Sequence, residues 1–117
     1  MALKLMPGET RNYTFRLPVS VKDIDAIRIC FYQNEEKIKE YDGSMTENVY
    51  GIDGEENLIV CTVPREDSLL FENRIKAFVQ VEWEIDGYHS VAKAQRISVG
   101  NYLNRDNLDD EIAEVTQ

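Results

Sequence analysis

His89, the only histidine of the chain, and Ser90 beside it are the first residues whose chemistry could support catalysis. A histidine can act as general base for a nucleophilic hydroxyl when the two side chains meet. Here both residues follow an alternating segment and the dipeptide Asp86-Gly87, a pattern that predicts a β-hairpin whose successive side chains point to opposite faces. We therefore expect His89 to pair across the hairpin with Glu84 on a solvent-exposed face, and we expect no catalytic residue and no enzyme.

Carboxylates are the other candidates for chemistry. Asp53, Glu55 and Glu56 lie in one polar segment, and a second acidic group occupies residues 106–111. Oxygen ligands of this kind suit Ca²⁺, but the second group lacks the glycine that an EF-hand loop needs at its sharp turn. We expect solvated acidic loops, with a weak calcium site as the alternative, and we predict no metal site and no cofactor.

Composition restricts the classes of partner. The chain has 117 residues and a net charge of −9, with 43% hydrophobic and 30% charged residues, which is typical of one globular domain. Such an acidic surface repels nucleic acid, and the longest apolar run, residues 58–61, is far too short to cross a membrane. Residues 1–12 carry no apolar export signal, so Cys30 and Cys61 are expected to be two buried thiols, with a disulfide as the less favoured alternative.

The hairpin is the strongest structural signal in the sequence. Apolar side chains occupy every second position from residue 75 to residue 85, which predicts a strand with one buried and one wet face. After Asp86-Gly87 the apolar phase changes between Ala92 and Ile97, so a β-bulge near Gln95-Arg96 is predicted to keep one continuous inward face.

The rest of the chain reads as short strands. Residues 64–71 begin with proline and acids, which predicts a short helical plug that folds Leu69, Leu70 and Phe71 onto the core. Together these patterns predict an all-β fold, an antiparallel immunoglobulin-like β-sandwich of about seven strands, spanning residues 1–100. The further strands are predicted at residues 12–17, 26–33, 36–41 and 57–63, with a short one at Leu3 and Leu5.

Residues 101–117 are predicted to be an acidic C-terminal tail or a short helix, since Leu108, Ile112 and Val115 have helical spacing. Such a helix would dock on a partner. Phe78 interrupts the wet face of its strand, and Val91 and Tyr102 are expected on the same side. The hypothetical interface with another chain therefore consists of Phe78, Val91, Tyr102, Leu108 and Ile112.

Several motifs follow one another in an order that resembles a known family. They are Gly8-Glu9-Thr10 before "YTFRLP", then "IRICFYQ", "TVPREDSLLF", "AFVQVEW", Asp86-Gly87 and "ISV". Over about residues 5–103 this order is similar to the amino-terminal immunoglobulin-like module of phage baseplate upper proteins. The resemblance implies a non-enzymatic structural or assembly module of a phage or prophage tail or baseplate. Its partners would be other phage structural proteins or copies of itself. Its location would be the virion and, during assembly, the bacterial cytoplasm.

Two alternatives from other functional classes stay open. A carbohydrate-binding or cell-surface adhesion sandwich would need exposed aromatic rings for stacking on sugars, and Tyr41, Tyr50 and Tyr88 are its candidates. An enzyme would be indicated by a concave pocket that gathers His89 with a carboxylate.

Overall fold

The computed structural model describes residues 3–43, 47–100 and 112–116. These residues form ten β-strands, one short α-helix and one 3₁₀ turn. The strands are β1 (Leu3–Leu5), β2 (Arg11–Arg16), β3 (Ala26–Gln33), β4 (Glu36–Asp42), β5 (Val49–Gly51), β6 (Leu58–Val63), β7 (Ala77–Ile85), β8 (Tyr88–Val91), β9 (Gln95–Val99) and β10 (Ile112–Glu114). The helix α1 spans Arg65–Ser68 and the 3₁₀ turn spans Val21–Asp23.

The strands form two mixed sheets. Sheet A has the order β1-β9-β7-β3-β4, with β8 also paired to β7, and sheet B has the order β10-β2-β6-β5. The all-β class is confirmed. The expectation of wholly antiparallel sheets is wrong, because β1 runs parallel to β9 and β10 runs parallel to β2. Both parallel pairs join strands that are distant in sequence, whereas the neighbours joined by two-residue turns, β3–β4 and β7–β8, are antiparallel.

One apolar core lies between the two sheets. The ring of Tyr13 in β2 packs on the ring of Phe31 in β3, with centroids 5.9 Å apart, and so joins sheet B to sheet A. Phe31 also meets Tyr41 and Phe71 edge to face, each at 5.9 Å. Alternation along β2 and β3 places Tyr13 and Phe31 inward, as expected from the sequence pattern. Full burial of each large apolar side chain contributes roughly 1.5–3 kcal/mol.

The predicted hairpin is confirmed. Ile85 lies opposite Tyr88 and Trp83 lies opposite Ser90. Asp86 and Gly87 have φ values of 49° and 82°, the positive angles that a type I′ turn requires.

The return from β8 to β9 contains the predicted shift in pairing, but at a different place. Gln95 lies opposite Val79, where continuation of the β7–β8 pairing would place Ala94. The interruption covers residues 92–94 and not Gln95-Arg96. Within it the N–H of Ala92 still donates to the carbonyl of Val81 in β7 at 2.9 Å, whereas the N–H of Lys93 donates to the carbonyl of Thr116 in the C-terminal segment at 2.7 Å.

Residues 101–117 are predicted to be an acidic tail or a short helix, and the structure describes residues 112–116 of them, which contain no helix. Residues 112–114 form β10, which adds to the edge of sheet B beside β2. Ala113 and Val115 are buried, as alternate side chains of an extended segment are. The edge of β2 supplies backbone partners along its length, whereas an isolated helix of a few residues has too few hydrogen bonds to be stable.

Candidate functional site

Phe78 and Val91 lie on the outer face of sheet A, as predicted. Phe78 is half-buried and Val91 is 44% exposed. Val91 lies opposite Glu82, four residues along β7 from Phe78, which corresponds to about 13 Å. Gln80 lies between them, and its Nε2 donates to the carbonyl of Ala92 at 2.9 Å. The two apolar side chains are therefore separated by a polar one.

Ile112, a further member of the predicted interface, is not on this face. Ile112 is half-buried in β10 and lies opposite Thr14 at the edge of sheet B. Tyr102 and Leu108 lie outside the described residues. The role of this set as an interface stays a prediction.

His89 lies opposite Glu84, as expected, but it binds a different carboxylate. Its Nε2 lies 3.0 Å from Oε1 of Glu82, the diagonal neighbour on β7. A cavity of about 120 Å³ beside this pair gathers the imidazole with acidic and basic groups. The lining includes Arg28, Asp42, Glu82, Glu84 and His89.

The cavity is small for a ligand site. At about 30 Å³ for each water it holds about four water molecules, whereas ligand pockets typically measure about 300–1,000 Å³. No serine, cysteine, threonine or lysine lines it. The arrangement brings one imidazole beside three carboxylates, without a hydroxyl, thiol or amine side chain.

Both cysteines are buried free thiols. Cys30 lies on the outer face of sheet A, where its Sγ is 3.6 Å from a carboxylate oxygen of Glu40 and 3.6 Å from one of Glu82. Burial, helped by Glu40, raises the pKa of Cys30 to about 11, and burial also raises the pKa of Cys61 in β6. Thiols in this state are poorly nucleophilic at neutral pH. Across the described ranges, no three His, Cys, Asp or Glu side chains are arranged to hold a metal ion.

The aromatic side chains proposed for sugar stacking are dispersed. Tyr41 is only 3% exposed, and its hydroxyl donates to Oδ2 of Asp67 at 2.7 Å. Tyr50 lies on β5 of sheet B, and Tyr88 lies beside the turn of the β7–β8 hairpin in sheet A. Tyr41 is therefore too buried to stack on a sugar, as the carbohydrate-binding alternative requires.

The short segment that follows α1 carries three large, exposed apolar side chains. Leu69, Leu70 and Ile75 are 53%, 52% and 37% exposed. The expectation that Leu69 and Leu70 would fold onto the core is wrong, and only Phe71 does so. The reason is geometric: successive side chains of a helical turn diverge by about 100°, so a one-turn helix directs only one of three consecutive side chains inward.

Residues 69–75, here called the 69–75 segment, are fixed to sheet A by a buried glutamine. Gln33 is 1% exposed, and its Oε1 accepts the N–H of Glu72 at 2.7 Å. Its Nε2 donates to the carbonyls of Glu72 and Ile75 at 3.0 and 2.8 Å. At the far end the N–H of Arg74, whose φ is 64°, donates to the carbonyl of Val99 at 3.1 Å. Ile75, expected inside the strand, therefore belongs to a turn that precedes β7.

The helix α1, which precedes this segment, is also held in place by hydrogen bonds. Ser68 is fully buried, and its Oγ accepts the N–H of Gly8 at 2.9 Å and donates to the carbonyl of Arg65 at 2.6 Å. The hydroxyl of Tyr41 binds Asp67 in the same turn. The leucines are thus presented from a backbone that is hydrogen-bonded at several points.

An open groove of about 490 Å³ lies beside Leu69. Pro7, Leu69 and the edge of Phe71 supply its apolar part, and Glu72 and Asn73 supply its polar part. The side chains of Pro7, Leu69, Leu70 and Ile75 are here called the 69–75 surface. Exposed apolar side chains grouped beside a groove are typical of protein-binding sites.

Comparison of the chain with models of known protein families gives no match, and comparison with curated protein sequences gives none. In the part of the chain that the structure describes, no helix has the length and apolar character needed to cross a membrane.

Proposed function

We propose that the chain is a non-enzymatic structural or assembly module of a phage or prophage tail or baseplate, and that it works by docking onto other virion proteins. The observation that carries the docking role is the 69–75 surface. Leu69 and Leu70 are each more than half exposed, although Gln33 and Ser68 hold the backbone around them in place. A fixed backbone reduces the conformational entropy that is lost when a partner covers the leucines.

The assignment to a phage particle rests on the resemblance of the ordered motifs to the amino-terminal module of baseplate upper proteins. One of these motifs, "TVPREDSLLF", contains α1 and both leucines of the 69–75 surface. The motif that contributes to the resemblance therefore also supplies the surface that could bind a partner.

We also propose that the two-layered fold is immunoglobulin-like. The order β9-β7-β3-β4 in sheet A matches strands G, F, C and C′ of a variable-type domain, and the order β2-β6-β5 in sheet B matches strands B, E and D. On this assignment β1 and β10 are additions at the sheet edges.

The strength of a single contact favours a role in a repeated assembly. Leu69 and Leu70 are already about half buried, so covering the rest of both side chains contributes roughly 1.5–3 kcal/mol. Association of two proteins loses translational and rotational entropy worth an estimated 4–15 kcal/mol, so one such contact alone is weak. Repeated copies in a symmetric particle raise the effective concentration, and weak contacts then hold together.

Catalysis is the less favoured function. The cavity beside His89 is small, and no hydroxyl, thiol or amine side chain lines it. Ser90 lies opposite Trp83 and is offset by one residue from His89 along β8, so the two side chains project to opposite faces.

The proposal is tested on particles obtained by prophage induction of the strain that encodes the chain. Gold-labelled antibodies against the chain should mark one end of purified tails in negative-stain images. Mass spectrometry should detect the chain in the same fraction. Particles that contain capsid and tail proteins but lack this chain would contradict the proposal.

A further inference from the structure

Strand β8 has a free edge among the residues that the structure describes. It pairs with β7 on one side only. The N–H of Ala92 donates to the carbonyl of Val81 at 2.9 Å. The backbone N–H and C=O groups of Ala92 therefore point toward β7. In an antiparallel pair this direction alternates, so the N–H and C=O groups of His89 and Val91 point away from β7. No described residue hydrogen-bonds to these four groups.

The next residue in the same outward row already accepts a neighbouring chain segment. The N–H of Lys93 donates to the carbonyl of Thr116 at 2.7 Å. The outward backbone groups of residues 89, 91 and 93 form one row that an extended backbone can reach. Within the described ranges, those of His89 and Val91 have no hydrogen-bond partner.

The other long edge of sheet A is protected, whereas β8 is not. Five of the seven residues of β4 are charged, and its pairing with β3 is interrupted by a register shift. Charges and bulges of this kind prevent edge-to-edge association. By contrast β8 reads Tyr-His-Ser-Val, with Tyr88 80% and Val91 44% exposed. In the described part of the chain, the remaining edge strands β1, β5 and β10 have three residues each.

We propose that two copies of this chain associate through β8, antiparallel, about a two-fold axis at Ser90. This symmetry places His89 of each copy opposite Val91 of the other. Each of these two pairs exchanges two backbone hydrogen bonds, four in all. The inference concerns the edge strand and does not depend on the proposed role in a phage particle.

A second copy fits this edge for two reasons. His89 and Val91 lie symmetrically about Ser90, so the two-fold axis matches every outward donor with an acceptor. The axis also brings the two β8 strands side by side, and β8 has no Asp, Glu, Lys or Arg whose charge would be repeated across the axis. Since each copy carries a net charge of −9, added salt should strengthen the dimer by screening the repulsion between copies.

Disulfide trapping tests the register. On the axis the two Ser90 positions form a non-hydrogen-bonded pair with Cα atoms about 4.5 Å apart, within the range that a disulfide spans. Under mild oxidation Ser90→Cys should form a covalent dimer. Tyr88→Cys is the matched control, on the same strand and the same face. In the proposed dimer its two copies lie four residues apart along the strand, about 13 Å, which is too far for a disulfide. Cys30 and Cys61 are buried, so the wild-type protein under the same oxidation gives the background level of cross-linking.

Two results of this trapping experiment would overturn the proposal. Tyr88→Cys could cross-link as fast as Ser90→Cys, which would indicate random collision. Alternatively, Ser90→Cys could stay monomeric under oxidation, which would show that the two Ser90 positions do not meet.

Sedimentation across a dilution series gives an independent readout. Val91→Pro removes an outward N–H at an edge without removing a bond to β7. It should lower the association constant about tenfold or more, since the axis repeats the loss in both copies. Val91→Thr, which keeps the branched shape and the N–H, should associate as wild type does. A folded Val91→Pro protein with unchanged association, or wild type that is monomeric at every concentration, would refute the proposal. If Val91→Pro fails to fold, the disulfide experiment decides.

Discussion

Replacing Gln33 by leucine should loosen the 69–75 segment and lower the stability of the whole domain. The glutamine side chain is 1% exposed and makes three hydrogen bonds to the backbone of Glu72 and Ile75. Leucine has a similar length but can neither donate nor accept. The substitution therefore leaves one N–H and two carbonyl groups without their partners.

The expected loss follows from the number of bonds. Each hydrogen bond contributes a net stabilisation of about 1 kcal/mol, so three bonds correspond to about 3 kcal/mol of the free energy of unfolding. Gln80→Leu is the matched control, because Gln80 is also a glutamine of sheet A but makes a single bond to the carbonyl of Ala92. Its expected loss is about 1 kcal/mol.

Urea unfolding followed by the fluorescence of Trp83 measures both variants, since Trp83 is the only tryptophan and is 2% exposed in the folded state. Amide exchange at Glu72 should also become faster in Gln33→Leu, because its N–H loses the acceptor on Gln33. Equal losses of stability in the two variants, with unchanged exchange at Glu72, would refute the argument that Gln33 fixes the segment.

Three further outcomes are expected. Tyr41→Phe removes the bond to Asp67 and should cost about 1 kcal/mol in thermal unfolding, and an unchanged melting temperature would contradict this. The pKa of Cys30 is about 11 in the folded protein and 9.0 for the free group. The protonated thiol therefore stabilises the folded state fully below pH 9, and this stabilisation is lost as the pH rises through 11. Cys30→Ala should therefore flatten the fall in stability over that range, and parallel curves in urea titrations would argue against the shift. The amide of Val115 donates to the carbonyl of Arg16 at 2.9 Å and should exchange slowly, whereas exchange at the rate of a free peptide would show that the C-terminal segment is not held against β2.

The β7–β8 hairpin could be predicted because its determinants are local. Alternation over residues 77–85 sets the inward face, and Asp86-Gly87 supplies the positive φ angles of the turn. The partner of His89 was less predictable. Its direct neighbour is Glu84, but the imidazole binds the diagonal Glu82, and diagonal neighbours lie within reach of long side chains on a pleated sheet.

A short strand at Leu3 and Leu5 could be predicted from local pattern, but its parallel pairing with β9 and the strand β10 could not. Residues 112–116 fit a helical spacing through Ile112 and Val115 and also a strand spacing through Ala113 and Val115. The edge of β2, almost a hundred residues earlier, decides between them by offering hydrogen bonds. Distant partners of this kind leave no mark in a short window of sequence.

Hydrophobicity alone predicts burial of Leu69 and Leu70 and therefore does not reveal the 69–75 surface. The sequence did contain a signal. A single helical turn followed by Leu69, Leu70 and Phe71 cannot turn all three side chains to one side, so exposure of two was predictable from the length of the helix. Which of the three is buried depends on Phe31, whose ring receives Phe71.

The most direct test of docking through this surface is the incorporation of variants into particles. The double variant Leu69→Ser with Leu70→Ser should fold and melt like wild type, because both side chains are exposed. Its incorporation into tails should fall about tenfold or more, since two leucines are no longer buried by the partner. The control Tyr50→Ser, which alters a side chain of similar exposure on sheet B, should assemble normally. Normal incorporation of the double variant would contradict the account.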